Sequence, residues 1–377
     1  MNDCSASSFV QPAYGDRSLG DVLPAVAQAL GVDAGLSSTS LSLPEAAKYV
    51  VFLVDGLGYQ LLRDHADQAP FLHSLLDGQE PATVGVPSTT ATSLTSLGTA
   101  LMPGTHGVVG FTSRIPGTDE LLNALSWSKK VDPRAWQPHD TALTKLVAAG
   151  VHTTVVNKRE FAMSGLTLAG QRGAEFVGAD RLGERMAAVL AASGSGPSLT
   201  YMYEGDLDWT GHRYGVASTS WRLQLSMVDA AAEQLRETLP ADTRIVVVAD
   251  HGMIDSPAEH RIDVDEHPEL LEGVVVLGGE ARFRHVYCRG GAVDDVVSAW
   301  RSVLDGRAEV LTRDAALELG WFGPVASAVR PRLGDVMVAA HGDFSVMSSA
   351  AFPYEMTLIG LHGSLTPAEM LIPLLVV

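Results

Sequence analysis

Two apolar runs that each end in aspartate constrain this chain most. KYVVFLVDG spans residues 48–56 and RIVVVADHG spans residues 244–252. Continuous runs of this kind are typical of strands buried on both faces of a parallel sheet. Residues 151–156 and 198–206 form similar runs, and helical patterns lie between the runs, at 91–100, 141–149, 181–192, 220–239 and 293–304. This alternation predicts an α/β fold, a mostly parallel central sheet flanked by helices.

The remaining segments suggest how the chain is divided. Residues 1–46 are predicted to be an irregular lead with a short helix near residues 23–30, and residues 47–377 a catalytic domain. Residues 103–140 are rich in proline, glycine and tryptophan and show no clear periodicity. Residues 257–345 mix one helix with short strands at 273–277, 282–287 and 335–339, which predicts a small inserted or appended subdomain near the cleft.

Composition excludes several functional classes. The 377 residues include 26 Lys and Arg against 44 Asp and Glu, a formal charge of −18, so a nucleic-acid polymer is not an expected partner. Two cysteines, Cys4 and Cys288, cannot form a disulfide framework or a cysteine-rich zinc module. No apolar run approaches the roughly 18 residues of a membrane span, and the first residues lack the pattern of a signal peptide, so a cytoplasmic location without a membrane partner is expected.

Metal-ligating side chains gather where the predicted strands end. Ligands of open α/β sheets bind beyond the carboxyl ends of the strands, where Asp55 and Asp250 fall. An unpaired buried carboxylate there would be costly, and a bound cation removes that cost. Three carboxylates and three imidazoles, enough for two divalent cations, are found in the sequence: Asp55, Asp208, Asp250, His212, His251 and His362. Oxygen and nitrogen ligands without thiolate suit zinc, with manganese as the alternative.

The spacing of these residues suggests two sites. Asp208 and His212 are one helical turn apart and face the same way, with His362 as the third ligand of a first site. The second site would take Asp55, Asp250 and His251. Two metal ions about 3.5–4 Å apart stabilise the attacking and leaving oxygens of a phosphoryl displacement.

Thr90 is the candidate nucleophile beside the second site. Pro87 ends the preceding extended segment, so Thr90 should stand at the N-terminus of the helix predicted at 91–100. The free amides and the dipole of a helix N-terminus favour an anion there. A metal would replace the general base that usually activates a hydroxyl.

In these motifs the chain resembles the type I phosphodiesterase/nucleotide pyrophosphatase branch of the alkaline phosphatase superfamily. The match runs in order from residue 48 to residue 363 and includes, around the nucleophile, Pro87, Thr99, Pro103 and His106. The resemblance implies an alkaline-phosphatase-like fold and two zinc ions bound by the six ligands above, with Thr90 as nucleophile and further ligand. It also implies attack by Thr90 on a small phosphodiester or pyrophosphate, a phosphothreonine intermediate, and its hydrolysis by water.

The chain departs from that family at the expected substrate pocket. Ser93 stands where the family usually has an asparagine that holds a phosphoryl oxygen, and Ala91 replaces an aromatic residue that helps to stack a nucleobase. Arg282 and Arg284 alternate on a predicted strand and so share one face, where they contact a phosphate or form surface ion pairs.

Other activities of the superfamily are the alternatives. A phosphomonoesterase or phosphonate hydrolase would share the metal set. A sulfatase is disfavoured because neither cysteine lies in the motif from which those enzymes make formylglycine. A binding protein that keeps the fold without catalysis would be expected to lose ligands, whereas all seven positions are filled here.

Overall fold

The computed structural model describes residues 9–192 and 196–377, so Cys4 lies outside the described residues. Six strands form the central sheet and four form a second sheet. In chain order, the ten are β1 Lys48–Val54, β2 His152–Asn157, β3 Glu175–Gly178, β4 Ser198–Glu204, β5 Thr243–Val248, β6 Val274–Glu280, β7 Phe283–Cys288, β8 Ala308–Thr312, β9 Val336–Ala340 and β10 Leu374–Val376.

The central sheet has the order β10-β5-β1-β4-β2-β3, and only the edge strand β10 is antiparallel to its neighbour. Six of the seven residues of β1 are buried, because helices cover both faces. Leu53 of β1 lies level with Tyr203 of β4 and Val248 of β5, so the three strands end together. The mostly parallel sheet predicted from the apolar runs is therefore confirmed.

Helices of the described chain are, in order, α1 Val22–Ala29, α2 Tyr59–Asp64, α3 Pro70–Ser74, α4 Thr90–Thr99, α5 Pro103–His106, α6 Pro133–Trp136, α7 Ala142–Ala148, α8 Gly165–Gly170, α9 Leu182–Ala192, α10 Asp206–Tyr214, α11 Thr219–Thr238, α12 Pro268–Leu271, α13 Val293–Leu304, α14 Arg313–Glu318 and α15 Pro367–Met370. Among the described residues, no helix combines the length and the apolar character that crossing a membrane requires.

The hydroxyl-rich helix α4 is buried almost throughout, although serine and threonine usually favour helix ends. Two of its hydroxyls are satisfied within the helix, since Thr95 Oγ1 donates to the carbonyl of Ala91 at 2.7 Å and Thr99 Oγ1 donates to the carbonyl of Thr95 at 2.6 Å. Those of Thr92 and Ser93 have no partner among the described residues. A polar helix can therefore pass through the core and present its first turn at the end of the sheet.

The second sheet lies within residues 257–345 and is antiparallel, in the order β6-β7-β9-β8. With α13 it encloses a hydrophobic cluster of its own, centred on Trp300, Leu304 and Val338. Phe283 and Ala339 belong instead to the main core, which joins the two sheets. Residues 103–140 contain α5, α6 and a hairpin of Thr112–Arg114 with Leu121–Asn123.

Short strand pairs tie distant segments to the central sheet region. They are Ala82–Thr83 with Leu371–Ile372, Ile254–Asp255 with Gly360–Leu361, and Arg261–Asp263 with Ser345–Met347. The second of these pairs carries the residue before His362 to the segment that follows β5. This pairing brings a late histidine to the carboxyl end of the sheet.

Candidate metal centre and nucleophile

Three neighbouring strands deliver the candidate carboxylates to one place. Asp55 directly follows β1, Asp250 and His251 come just after β5, and Asp208 lies in the first turn of α10, which follows β4. Because β1 lies between β4 and β5 and all three are parallel, their carboxyl ends converge.

The turn after β1 requires glycine. Gly56 has a φ of +74°, and a Cβ built on it would lie 3.0 Å from Cβ of Asp208. Its amide donates a hydrogen bond of 3.1 Å to Oδ1 of Asp250. A backbone without a side chain thus lets the β1 turn pass between two of the carboxylates and orient one of them.

The side chains of the first predicted ligand group lie close together. Nε2 of His212 lies 3.4 Å from Oδ2 of Asp208 and 3.2 Å from Nε2 of His362. Nδ1 of His212 donates to the carbonyl of Gly360 at 2.7 Å, and Nδ1 of His362 donates to that of Ser88 at 3.0 Å. Since a carbonyl only accepts, both rings carry their proton on Nδ1 and turn the lone pair of Nε2 toward the same point.

The second group forms around His251. Its Nε2 lies 3.3 Å from Oδ1 of Asp55 and 3.6 Å from Oδ2 of Asp250, while its Nδ1 donates to the carbonyl of Gly252 at 2.9 Å. The ring stacks on that of His362 with centroids 3.6 Å apart. Ligand atoms of His251, Asp208 and His362 all lie within 4.8 Å of one another, so the two groups are adjacent.

The electrostatics of the cluster fit divalent cations. Oδ1 of Asp55, Oδ1 of Asp208 and Oδ2 of Asp250 are buried with no hydrogen-bond partner among the described residues. Burial raises the pKa of Asp55 well above its usual range, and the nearby charges of Asp250 and Asp208 raise it further. Burial lowers the pKa of His362 well below its usual range, which keeps the ring neutral. Unpaired carboxylates beside neutral imidazole lone pairs are the donor set that zinc and related ions take.

Thr90 stands where the nucleophile is predicted. It is the first residue of α4, after the extended Thr89, one residue ahead of the predicted helix start. Its Oγ1 lies 3.1 Å from Nε2 of His251, so the hydroxyl faces the second ligand group. The segment before it is fixed by Ser88, whose Oγ donates to the carbonyl of Ser364 at 2.6 Å.

The arginines predicted to contact substrate do not reach this site. Arg282 and Arg284 are fully buried, so the alternative of surface ion pairs is also wrong. Nη2 of Arg282 lies 2.7 Å from Oε2 of Glu369, and Arg284 pairs with Glu355. Further backbone carbonyls occupy both guanidinium groups, including that of Val346, 2.9 Å from Nε of Arg284. Ser93 is buried and its hydroxyl has no partner within the described chain, so its role in substrate binding stays a prediction.

Several residues around the site were not predicted from the sequence. The phenol of Tyr203 donates to Oδ2 of Asp55, and its place next to the end of β4 was the available signal. Asn157, the last residue of β2, lines a cavity with Gln171 and Thr90. Glu280 lines another cavity with Thr90. Its position after the apolar part of β6 gave no comparable signal.

Comparison with known proteins identifies the family. A family model described as type I phosphodiesterase/nucleotide pyrophosphatase matches residues 49–365. The chain belongs to this family. A comparison with curated proteins found no match.

Solved structures share the fold of this family member. Murine ectonucleotide pyrophosphatase/phosphodiesterase 5 is similar with a TM-score of 0.68 and 17% identity, over 87% of each chain. An inactive form of that protein, in complex with AMP, gives the same TM-score and identity over 88% of this chain and 87% of its own. Phosphonoacetate hydrolase from Sinorhizobium meliloti 1021, in complex with phosphonoformate, has a TM-score of 0.68 and 19% identity, over 90% of this chain and 92% of its own. These likenesses confirm the predicted alkaline-phosphatase-like fold.

Proposed function

We propose that this family member hydrolyses a phosphodiester or pyrophosphate bond of a small phosphorylated molecule, with Thr90 as the nucleophile. The observation that carries the proposal is the position of the Thr90 hydroxyl, which contacts His251 at the border of two groups of ligand-type side chains. AMP in the similar murine protein is a ligand of the same chemical kind.

The two groups provide places for two divalent cations. Asp208, His212 and His362 would hold one ion, and Asp55, Asp250 and His251 the other, near Thr90. Zinc suits these ligands, and manganese is the alternative. Bound divalent ions supply stabilisation of the charge that develops on the attacking and leaving oxygens of phosphoryl transfer.

Residues of the chain orient the nucleophile. The Thr90 hydroxyl lies 3.1 Å from Nε2 of His251, which places it at the second ligand group, where a bound cation would favour loss of the hydroxyl proton. Thr90 opens the ten-residue helix α4, whose first amides favour an anionic oxygen at this point. The hydrogen bond from Nδ1 of His251 to the Gly252 carbonyl fixes the orientation of that ring.

The proposed reaction has two displacements. Oγ1 of Thr90 forms a bond to phosphorus, the bond to one ester oxygen breaks, and the leaving group departs after taking up a proton. Water then attacks the phosphothreonine, which releases the phosphorylated product and returns the hydroxyl of Thr90.

A phosphonate hydrolase or phosphomonoesterase is the second candidate. Its support is the similarity in fold to phosphonoacetate hydrolase, which covers 90% of this chain. The metal-binding side chains suit all of these reactions, so the discrimination lies in the groups that surround the phosphoryl centre.

Turnover of matched aryl substrates tests the proposal. We expect metal-replete protein to prefer bis-p-nitrophenyl phosphate, or the p-nitrophenyl ester of thymidine monophosphate, over p-nitrophenyl phosphate, and Thr90→Ala to abolish that turnover. Preference for the monoester, or release of phosphate from phosphonoacetate, would favour the second candidate. Equal turnover by Thr90→Ala would contradict the role of Thr90.

A further inference from the structure

Two cavities lie beside the nucleophile and share Thr90, Leu125 and Asp208 in their walls. One has a volume of about 180 Å³ and contains Gln171; we refer to it as the Gln171 cavity. The other, of about 210 Å³, contains Glu280 and is called the Glu280 cavity. A diester has two substituents on its phosphorus, so a phosphoryl group beside Thr90 has a place for each of them.

The Gln171 cavity has neutral hydrogen-bonding groups that the protein does not use fully. Gln171 is only 7% exposed, and its amide interacts with the buried phenol of Tyr201, but its Oε1 accepts no hydrogen bond from the described residues. Asn157 accepts a bond from the amide of Lys158 at 2.8 Å, but no hydrogen bond from its Nδ2 is found within the described chain. Oγ1 of Thr167 accepts from Ser164 at 3.0 Å and keeps its own proton for another acceptor. These groups suit a ligand with hydroxyl groups.

The same cavity has no cation in its wall. Its remaining lining residues are Leu94, Leu125, Phe161, Leu166 and Tyr203, together with Thr90 and the metal-site carboxylates Asp55 and Asp208. Lys158 lines the adjoining outer cavity, which shares Phe161, Tyr203 and Asp208 with this one, and its Nζ is engaged 2.8 Å from Oδ1 of Asp206. A second phosphate in the Gln171 cavity would therefore find no lysine or arginine to neutralise it.

The Glu280 cavity is no better suited to extra phosphate. Glu280 and Glu355 line it, and no lysine or arginine does. Arg284, behind Glu355, is fully buried and already paired with that carboxylate. Oε1 of Glu280 is buried without a partner among the described residues. Both cavities thus disfavour a substrate that has charged phosphates in addition to the reacting one.

We propose that the substrate is a diester with a single phosphate, one of whose substituents is a small uncharged polyol, of the size of glycerol or a sugar, bound in the Gln171 cavity. The inference rests on the proposed function. It narrows the class of substrate, because it excludes pyrophosphates and nucleoside polyphosphates. The Gln171 cavity, at about 180 Å³, is smaller than the roughly 300–1,000 Å³ of pockets that hold drug-sized ligands, which agrees with a substituent of the size of glycerol or a sugar. The described wall of this cavity has one aromatic residue, Phe161, on which a nucleobase could stack, besides Tyr203, whose hydroxyl is bonded to Asp55.

Three p-nitrophenyl esters, which share one leaving group, and a pyrophosphate test the inference. We would measure kcat/KM for the p-nitrophenyl phosphate diesters of methanol, glycerol and thymidine, and for diadenosine pyrophosphate. The glyceryl ester is expected to exceed the methyl ester by at least about tenfold, the effect of two or three neutral hydrogen bonds. It is also expected to exceed the thymidine ester and the pyrophosphate.

Substitutions in the wall of the Gln171 cavity test whether the preference for the glyceryl ester arises there. Gln171→Met, which conserves volume, and Thr167→Val should each lower the glyceryl-to-methyl ratio by about three- to tenfold. Gln224→Met is the matched control, because Gln224 lines only the outer cavity and should leave the ratio unchanged. Urea unfolding of each variant verifies that it is folded, and the ratio of two substrates on one protein is insensitive to a fraction of inactive chain.

The possible results separate the two proposals. The methyl ester has nothing to place in the Gln171 cavity, so its dependence on Thr90 tests the proposed function alone. If Thr90→Ala stops its hydrolysis but the glyceryl-to-methyl ratio is the same in wild type, Gln171→Met and Thr167→Val, the polyol inference fails and the proposed function survives. A higher kcat/KM for diadenosine pyrophosphate or for the thymidine ester would also overturn the inference.

Discussion

Buried carboxylates occur in two regions of this molecule with opposite surroundings. At the contact between the two sheets, Glu369 and Glu355 each pair with a buried arginine. At the carboxyl end of the central sheet, Asp55 and Asp250 are just as buried but have an oxygen without a partner, and the imidazole of His251 as a neighbour.

The difference shows what each region is built for. Burial of a carboxylate is costly in both, and the cost is offset only by a cation or by hydrogen bonds. The chain itself supplies the cation in the first region, as a guanidinium group. In the second region it supplies only further ligands, so we infer that the cation comes from solution. The first region maintains the fold, and the second is prepared for chemistry.

The largest effect is expected from removal of the Thr90 hydroxyl, which has no counterpart at the buried ion pairs of Glu369 and Glu355. Thr90→Ala should lower kcat for the aryl diester by about 10³-fold or more, because the nucleophile is lost, while metal content stays the same. Thr90→Ser should retain part of the activity. Thr99→Ala, in the same helix but bonded only to the backbone of Thr95 and Leu101, is the control and should keep kcat. Near-normal turnover by Thr90→Ala would show that the hydroxyl is not the nucleophile.

Stability of metal-free protein compares the two regions directly. Glu369→Ala should lower the free energy of unfolding by about 3–5 kcal/mol, because Arg282 is left buried without its partner. Asp250→Asn should lower it by less than about 0.5 kcal/mol or raise it, since it removes one of several like charges and keeps the oxygen that accepts from Gly56. Urea unfolding in the presence of a chelator measures both. Equal losses of the free energy of unfolding in the two variants would contradict the distinction between the two regions.

Added metal should offset the cost of buried carboxylates only in the region around Asp55 and Asp250. Zinc at about 100 times its dissociation constant should raise the free energy of unfolding of the wild type by about 2.7 kcal/mol for each ion bound, so by about 5 kcal/mol for two. Glu369→Ala should gain the same increment, since its defect lies in the other region, whereas His362→Ala should gain less. A wild type that zinc does not stabilise would contradict the inference that the cation comes from solution.

A smaller effect should follow from the phenol that orients Asp55. Tyr203→Phe removes the hydrogen bond to Oδ2 of Asp55, and the expected weakening of metal affinity is about 10- to 100-fold. Tyr201→Phe is the matched control, because the Tyr201 phenol is buried near the same carboxylates but donates no hydrogen bond to them. Competition with a chromogenic chelator measures both affinities. Identical values for the two variants would show that Tyr203 does not support the site.

Much of this arrangement follows from the sequence alone. Apolar runs that end in aspartate identify buried parallel strands, and parallel strands necessarily place Asp55 and Asp250 at one edge. The four-residue spacing of Asp208 and His212 places both on one face of α10.

Side chains whose role depends on contacts between distant segments were not predictable. Arg282 has the pattern of a phosphate ligand until the fold brings Glu369, 87 residues later, against it. Gln171 and Asn157 have no local signal, because they share a cavity only after β2 and the end of α8 pack near Thr90. The sequence thus indicates the reacting centre, which lies at strand ends, better than it indicates the walls that select the substrate.

Metal content is the most direct test of the claim that the unpaired carboxylates and imidazoles bind two cations. We would reconstitute the wild type, His362→Ala and Asp250→Asn with zinc, remove excess metal, and count the ions bound per chain by mass spectrometry of the metal, with diester turnover measured on the same samples. The account predicts two ions in the wild type, one in each variant, and loss of most turnover in both variants. Full metal content and near-normal rates in either variant, or a wild type that holds no zinc, would contradict it.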